Sequence, residues 1–191
     1  MRRLILKMSM TVDGFVAGPN GEVDWMLASR SPDGVQWIAD LLGQVGVQVI
    51  GRRIYADWAS YWPSSSHPLA ALMNEIPKLV FSRGGGDGAG TARPEPQKAW
   101  GPPALLTGDL TEEIQRLKAQ PGKDILAHGG ASFAQSLVER ALIDEYRLVV
   151  HPVVLGRGLP LFASTKAPIP LRHVSTTAFA GGAVAHVYRP A

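Results

Sequence analysis

Short apolar runs alternate with segments of helical periodicity along most of this chain, and this alternation constrains the fold more than any other feature. The apolar runs cover residues 3–10, 46–50, 78–82, 124–127 and 145–151. Between them apolar residues recur at helical spacing, as at Val35, Ile38 and Leu41. Residues 171–188 instead read as a hairpin turning at Gly181-Gly182. We predict a single α/β domain over residues 1–191, with a mostly parallel central sheet flanked by helices and an antiparallel C-terminal hairpin.

The composition excludes several function classes. The chain has no cysteine, so disulfides, thiolate metal sites and cysteine nucleophiles are excluded. Its formal net charge of +3 is too small to indicate a nucleic-acid-binding protein. No apolar run reaches the roughly 18 residues of a membrane span. The apolar start is broken at Lys7 before a signal peptide can develop. We therefore expect a cytoplasmic protein with neither nucleic-acid nor membrane partners.

The sequence contains no motif that is typical of a metalloenzyme or of a serine hydrolase. The 5 histidines show no metal-ligand spacing, and neither H-E-x-x-H nor G-x-S-x-G occurs. We therefore expect no bound metal.

Glycine, arginine and serine follow three successive predicted strands, where parallel sheets bind ligands. The residues concerned are Gly51, Arg52 and Arg53, then Ser82 and Arg83, then Gly129, Gly130, Ala131 and Ser132. Glycines at a helix start let a phosphate approach unpaired backbone N–H groups, and guanidinium groups add charge. Gly129-Gly130 alone is equally compatible with an ordinary turn. Taken alone, Arg52-Arg53 is better explained as solvated arginines, and Ser82-Arg83 as an ordinary strand end. Together the three groups favour a dinucleotide with an extra phosphate, which means NADP rather than NAD.

Three carboxylates are candidates for catalysis or substrate binding. Asp13 follows the first strand and is our first choice for ordering a proton-delivering water, with Asp33 second. Asp13-Gly14 and Asp33-Gly34 are also common turn pairs, so a purely structural role remains an alternative for both. Asp24 precedes Trp25, whose indole suits a flat heterocycle, although Asp24 could cap a helix and Trp25 could belong to the core.

The order of these motifs resembles the dihydrofolate reductase-like fold, and most closely the C-terminal reductase domain of the bacterial bifunctional riboflavin-biosynthesis deaminase-reductase. The resemblance rests on five stretches: SMTVDGFVAG at 9–18, Asp24-Trp25, VIGRRIY at 49–55, LVFSR at 79–83, and 125–162. The last stretch is the most specific. It contains a Gly-Gly-Ala, a helix, Leu-Ile-Asp-Glu and a Pro-Val-Val-Leu-Gly-x-Gly loop that closes on Leu-Phe.

The resemblance implies a cytoplasmic, homodimeric reductase that transfers a hydride from NADPH to a pterin-, folate- or pyrimidine-like ring. It implies cofactor contacts at Gly18, Gly51, Arg52, Arg53, Ser82, Arg83, Gly129, Gly130, Ala131 and Ser132. It implies substrate contacts at Asp13, Asp24, Trp25, Ile54, Trp58 and Arg157, with residues 151–162 bordering the cleft. Arg157 would bind an anionic substrate tail, although a solvated loop arginine is equally compatible with the sequence.

Two departures from the family pattern keep other functions open. The loop 84–103 is long and rich in glycine and proline where the adenine should lie. Asp33 falls only near the first-helix position at which dihydrofolate reductases carry their acid. One alternative is therefore the riboflavin-pathway 5-amino-6-(5-phosphoribosylamino)uracil reductase. Another is a nucleotide-binding member of the fold without catalysis.

Overall fold

The alternation of strands and helices builds a mixed sheet in the computed structural model, which describes residues 1–82, 98, 100–103 and 105–191. The strands of the described residues are β1 (Leu4–Thr11), β2 (Phe15–Ala17), β3 (Val45–Gly51), β4 (Lys78–Phe81), β5 (Leu105–Leu106), β6 (Asp124–His128), β7 (Glu145–His151), β8 (Leu159–Pro160), β9 (Leu171–Ala178) and β10 (Val184–Pro190). Within that part of the chain the main sheet has the order β5-β4-β3-β6-β1-β7-β10-β9, and β2 pairs separately with β8.

The sheet changes direction at its C-terminal end. Strands β5, β4, β3, β6, β1 and β7 are paired in parallel, whereas β10 pairs antiparallel with both β7 and β9. The β9–β10 turn contains Gly182 at a φ of +90°. The predicted parallel sheet and C-terminal hairpin are therefore confirmed. The central position of β1 explains why both of its faces are largely apolar.

Helices cover both faces of the sheet, as predicted. They are α1 (Pro32–Gly43), α2 (Arg52–Tyr61), α3 (Ala70–Glu75), α4 (Leu110–Ala119) and α5 (Ala131–Glu139), with short 3₁₀ helices at Asp24–Ser29 and Trp62–Ser64. Helices α4 and α5 pack on the face that carries Leu4 and Leu6. Helices α1 and α3 pack on the opposite face, against Ile5 and Leu126. None of the helices described is both long and apolar enough to cross a bilayer.

Local sequence signals set the helix boundaries. Pro32 occupies the first turn of α1, where a missing backbone N–H costs nothing. The Asp109 carboxylate accepts hydrogen bonds from the Thr111 and Glu112 backbone N–H groups and so caps α4. Most of the 84–103 loop, together with the predicted cofactor residue Arg83, lies outside the described residues.

Candidate active site

Two helices begin side by side at the carboxyl edge of the sheet. Gly51 ends β3 and is the N-cap of α2, and Gly130 follows β6 as the N-cap of α5. A Cβ placed on Gly51 would lie 3.0 Å from the Cβ of Phe133 in the first turn of α5. Neither N-cap supplies a side-chain hydrogen bond to its helix. The unpaired N–H groups and positive dipole ends of both helices therefore face the same region.

Gly129 and Gly130 lie where this edge leaves little space for a side chain. Their φ angles are +84° and +79°, a region that side chains other than glycine rarely adopt. An added Cβ would lie 3.0 Å from the Trp58 ring at Gly129 and 3.3 Å from Ile54 at Gly130. The structure makes Gly130 the N-cap of α5 and places Ser132 within the helix. Glycine is thus needed here both for backbone conformation and for space.

The other predicted cofactor residues that the structure describes follow strands β2, β3 and β4. Arg52 and Arg53 are the exposed first two residues of α2. Ser82 follows β4, and its backbone N–H donates to the Leu106 carbonyl at 3.1 Å. Gly18 is buried and directly follows β2, and its backbone N–H donates to the Glu22 carbonyl at 2.8 Å.

A buried lysine lies at the centre of the sheet on the face that carries α1. Lys7 of β1 is 5% exposed, and its Nζ donates to the Ser9 Oγ at 3.1 Å. Burial lowers the pKa of Lys7 to about 8. Among the described residues, no carboxylate pairs with it in a salt bridge.

Two histidines lie close to this lysine. His128 is the β6 partner of Lys7 in the parallel register, and its ring packs edge-on against Trp58 at 5.3 Å. Burial first, and then the Lys7 charge, lower the pKa of His128 to about 3. His128 is therefore neutral at physiological pH, and its buried Nδ1 has no partner among the residues described.

The second histidine ends β7. The Nδ1 of His151 lies 2.7 Å from the Ser29 Oγ, and its ring packs edge-on against Trp25 at 5.4 Å. Burial first, and then the Lys7 charge, lower the pKa of His151 to about 4. Its Nε2 is buried without a partner in the described part of the chain. The His128 Nδ1 and the His151 Nε2, both without a hydrogen-bond partner among the described residues, thus lie near the buried Lys7 ammonium.

The structure brings some predicted substrate residues to this cluster and adds others. Trp25, Ile54 and Trp58 adjoin the histidines or the glycine turn, as described above. Sequence reasoning missed Lys7, Ser9 and His128 as site residues, and it placed His151 only at the border of the cleft. One signal was available: Lys7 is a charged residue in the middle of an apolar strand, where burial of a cation is costly.

Asp13 holds two loops together at the edge of this site. Its carboxylate accepts hydrogen bonds from the Leu155 and Gly156 backbone N–H groups, the latter at 2.7 Å, and from the Thr11 hydroxyl. The Thr11 hydroxyl first, and then these backbone donors, keep the pKa of Asp13 below its ordinary value. The side chain is exposed and ionised, which suits holding a loop or orienting a water better than donating a proton.

The remaining predicted polar residues lie further out. Asp33 is exposed in the first turn of α1 and accepts hydrogen bonds from the Gly34 and Ala180 N–H groups, which links α1 to the β9–β10 turn. Asp24 is the exposed first residue of its 3₁₀ helix, and it is not the N-cap. Arg157 is exposed and interacts electrostatically with Glu22. Among the residues described, no group of three or more His, Asp or Glu side chains could hold a metal ion.

Comparison with known proteins identifies one family. A family model described as the RibD C-terminal domain matches residues 2–185. The chain is 38% identical over 192 residues to the uncharacterized protein YyaP of Bacillus subtilis (strain 168), covering 98% of this chain and 94% of YyaP.

Solved structures show the same fold at low sequence identity. A putative riboflavin biosynthesis protein from Shewanella superimposes with a TM-score of 0.76 at 22% identity, covering 99% of each chain. Dihydrofolate reductase from Enterococcus faecalis, solved with NADP(H), gives a TM-score of 0.62 at 12% identity and covers 98% of this chain and 96% of the enzyme. The dihydrofolate reductase-like fold expected from the sequence is confirmed.

Proposed function

Because this chain belongs to the RibD C-terminal domain family, we propose that it is an NADPH-dependent reductase acting on a pterin-, folate- or pyrimidine-like ring. The observation that carries the proposal is the pair of uncapped helix N-termini at Gly51 and Gly130. Oriented N–H groups and helix dipoles at one place form a binding site for a pyrophosphate.

The residues at this edge fit the cofactor. Gly129, Gly130, Ala131 and Ser132 would hold the pyrophosphate at the start of α5, where both glycines have positive φ and a Cβ at either one would meet Trp58 or Ile54. Gly51, Arg52 and Arg53 would bind the adenosine side, Gly18 would contact the cofactor, and Ser82 and Arg83 would take the extra phosphate. When bound, NADPH supplies a hydride to a C=N or C=O carbon.

Lys7 is the best proton donor among the described residues of the site. A buried ammonium with a pKa near 8 is largely protonated at neutral pH and still acidic enough to give up a proton. We propose that it donates to the substrate atom that gains electron density, with Ser9 holding its Nζ. The uncommitted nitrogens of His128 and His151 would accept or donate hydrogen bonds at the substrate's polar edge.

Trp25, Ile54 and Trp58 would orient the ring and exclude water, which strengthens the electrostatic effect of Lys7. Asp13 would position the 155–156 loop and a proton-delivering water rather than act as the acid itself. Asp24 and Arg157 would contact the periphery of the substrate, and Asp33 stays the second candidate for ordering water.

Calorimetric titration with NADPH and NADH tests the cofactor. We expect NADPH to bind more tightly than NADH and Gly130→Val to weaken NADPH binding by about tenfold or more, since the added side chain would meet Ile54. Gly43→Ala is the matched control, because its added Cβ meets nothing within 4 Å. Absence of NADPH binding at millimolar concentration would refute the proposal.

A panel of pterins, folates and pyrimidines then tests catalysis through the loss of NADPH absorbance. Binding of NADPH without oxidation by any member of the panel would favour the non-catalytic alternative. Reduction of 5-amino-6-(5-phosphoribosylamino)uracil alone would assign the riboflavin-pathway alternative.

We also propose that the single domain over residues 1–191 forms a cytoplasmic homodimer. The support is the family resemblance together with β9, an edge strand whose residues after Leu171 are all exposed. Such an edge offers unpaired backbone groups to a second chain. Sedimentation at micromolar concentration should give twice the mass of 20.5 kDa, and a monomer would refute the dimer.

A further inference from the structure

The tip of the C-terminal hairpin touches the backbone that precedes α1. A Cβ added to Gly181, in the β9–β10 turn, would lie 2.7 Å from the Ser29 carbonyl carbon and closer still to the carbonyl oxygen. Such an approach is a steric clash, so only glycine fits at this position. Gly181 is not among the glycines with positive φ, whereas the neighbouring Gly182 is. Gly181 is therefore required for its close approach to Ser29 rather than for its backbone conformation.

Two contacts hold the hairpin tip against this segment. The Ala180 backbone N–H donates to the Asp33 carboxylate at 2.9 Å. The Phe179 side chain is buried and packs edge-on against Trp37 of α1, with the ring centroids 5.9 Å apart. The Gly182 backbone N–H closes the turn by donating to the Phe179 carbonyl at 2.9 Å. The tip is therefore fixed to α1, and its position constrains the backbone that it touches.

Ser29 carries this constraint to the second histidine of the site. Its Oγ lies 2.7 Å from the Nδ1 of His151, and both residues are buried. Within the described part of the chain this is the one hydrogen bond of the His151 ring, because the Nε2 has no partner there. The Ser29 hydroxyl therefore decides which ring nitrogen is left for a ligand.

A count of hydrogen-bond donors assigns the proton on this ring. If the Ser29 hydroxyl donates to Nδ1, the proton is on Nε2, and only the Nε2–H lacks a partner among the described residues. If Nδ1–H donates to the Ser29 Oγ instead, both the serine hydroxyl proton and the Nε2 lone pair lack partners there. A buried polar group without a partner costs free energy, so the first arrangement is favoured. The neutral His151 ring is therefore protonated at Nε2.

We infer that Ser29 and Gly181 are positioning residues for His151. Gly181 allows the hairpin tip to hold the Ser29 backbone, and the Ser29 hydroxyl then holds the ring with its Nε2–H as the free donor. In the reductase proposed above, on which this role rests, that N–H donates a hydrogen bond to a carbonyl oxygen or a ring nitrogen of the substrate. The buried side chains of the site then present two donors to the substrate, Lys7 and His151.

The nitrogen resonances of His151, in the full chain with isotope-labelled histidine, test the assignment without requiring catalysis. Burial lowers the pKa of His151 to about 4, so spectra at pH 7 report the neutral ring. We expect the wild type to show a protonated Nε2 and an unprotonated Nδ1. Ser29→Ala should move both resonances toward the average of the two tautomers, whereas Ser29→Thr keeps a hydroxyl and should resemble the wild type. His151→Gln identifies the resonances.

Turnover tests the consequence for the reaction. We expect Ser29→Ala to lower kcat by about tenfold or more, since a displacement of about 1 Å at a reacting group can cost about 10²-fold. Gly181→Ala should lower kcat and move the His151 resonances in the same direction. Added to Ser29→Ala it should lower kcat by no more than about twofold further, because residues that act through one contact are not additive. Gly43→Ala, whose added Cβ meets nothing within 4 Å, is the matched control.

Four outcomes would overturn the inference. A wild type with the proton on Nδ1 would reverse the assignment, and unchanged resonances in Ser29→Ala would mean that Ser29 does not orient the ring. Changed resonances with unchanged kcat would separate the ring from the reaction. Losses of kcat that multiply in the double variant would mean that Gly181 does not act through Ser29.

Two controls keep these outcomes distinct from other failures. If Gly181→Ala does not fold, the comparison of Ser29→Ala with Ser29→Thr still decides the role of Ser29. Failure of the reductase proposal shows instead as absent NADPH binding or turnover in the wild type, while the dependence of the His151 resonances on Ser29 persists.

Discussion

Lys7 and His128 are direct partners in the parallel pairing of β1 and β6, so an ammonium and an imidazole lie on the same face of the sheet beside each other. The Lys7 charge is one cause of the low pKa of His128. The histidine therefore remains neutral, and Lys7 is the charged member of the pair at physiological pH. This division makes Lys7 the residue on which the proposed chemistry depends most.

Lys7→Met should abolish most of the turnover. We expect kcat to fall by about 10²-fold or more, the usual effect of removing a positioned proton donor, while the Kd for NADPH changes less than about twofold. Steady-state kinetics and calorimetry measure the two quantities. Lys166→Met, which replaces a lysine whose side chain is 87% exposed, is the control. Unchanged kcat in Lys7→Met would remove this residue from the mechanism.

The activity should decrease on the alkaline side of neutrality. Burial places the pKa of Lys7 at about 8, so the ammonium loses its proton as the pH rises through that value. We expect kcat to follow a single descending ionisation near pH 8, measured between pH 6 and 10. If Lys7→Arg retains activity, its pH profile should lack this descending ionisation, because a guanidinium stays protonated. A flat wild-type profile contradicts the assignment.

The stability should fall in mild acid because of His128. Its pKa is about 3 in the folded chain against about 6.5 when unfolded, so the unfolded state binds more protons below pH 6.5. The contribution of His128 to the free energy of unfolding is therefore fully present above that pH, and it is lost as the pH falls toward 3. His128 should account for about 1–2 kcal/mol of the loss between pH 7 and 5.

Urea denaturation at the two pH values measures this loss. His128→Gln should reduce the difference in the free energy of unfolding between pH 7 and pH 5. His186→Gln removes an imidazole from the hairpin and should reduce that difference less. Equal pH dependence in the wild type and in His128→Gln would exclude His128 as the cause.

Asp13→Ala should impair catalysis through position rather than through acidity. The substitution removes the acceptor for the Leu155 and Gly156 N–H groups and frees the loop beside His151. A displacement of about 1 Å at a reacting group can cost about 10²-fold in rate, so we expect a loss of that order with any identified substrate.

Asp13→Asn tests the same point because it keeps one acceptor oxygen and should retain more of kcat than Asp13→Ala. Asp40→Asn, which changes a carboxylate on α1, is the control. Full turnover in both Asp13 variants would show that this side chain has no part in the reaction.

The glycine turns at the carboxyl edge of the sheet were predictable because their signals are local. Glycine at 51, 129 and 130 is needed where a strand turns directly into a helix, and the parallel order of strands places such turns at one edge. The family resemblance implied substrate contacts for Ile54 and Trp58, but only the structure shows that both adjoin the glycine turn. The fold itself followed from the alternation of strands and helices and from the C-terminal hairpin.

The buried cluster was not predictable in this way because its members are distant in sequence. Lys7 and His128 are 121 residues apart, and only the β1–β6 register makes them neighbours. Ser29 and His151 meet across 122 residues. Asp13 was selected from the sequence as a carboxylate at a strand end, but only the fold shows that its oxygens hold residues 155 and 156.

The sequence by itself determined the order of strands and helices, the glycine turns and the family, since each depends on residues that are near one another along the chain. The tertiary structure alone decided which polar side chains are buried together and which imidazole nitrogens lack partners among the described residues. Burial and strand register set those properties, because the pKa of Lys7 or His128 depends on neighbours that only folding provides.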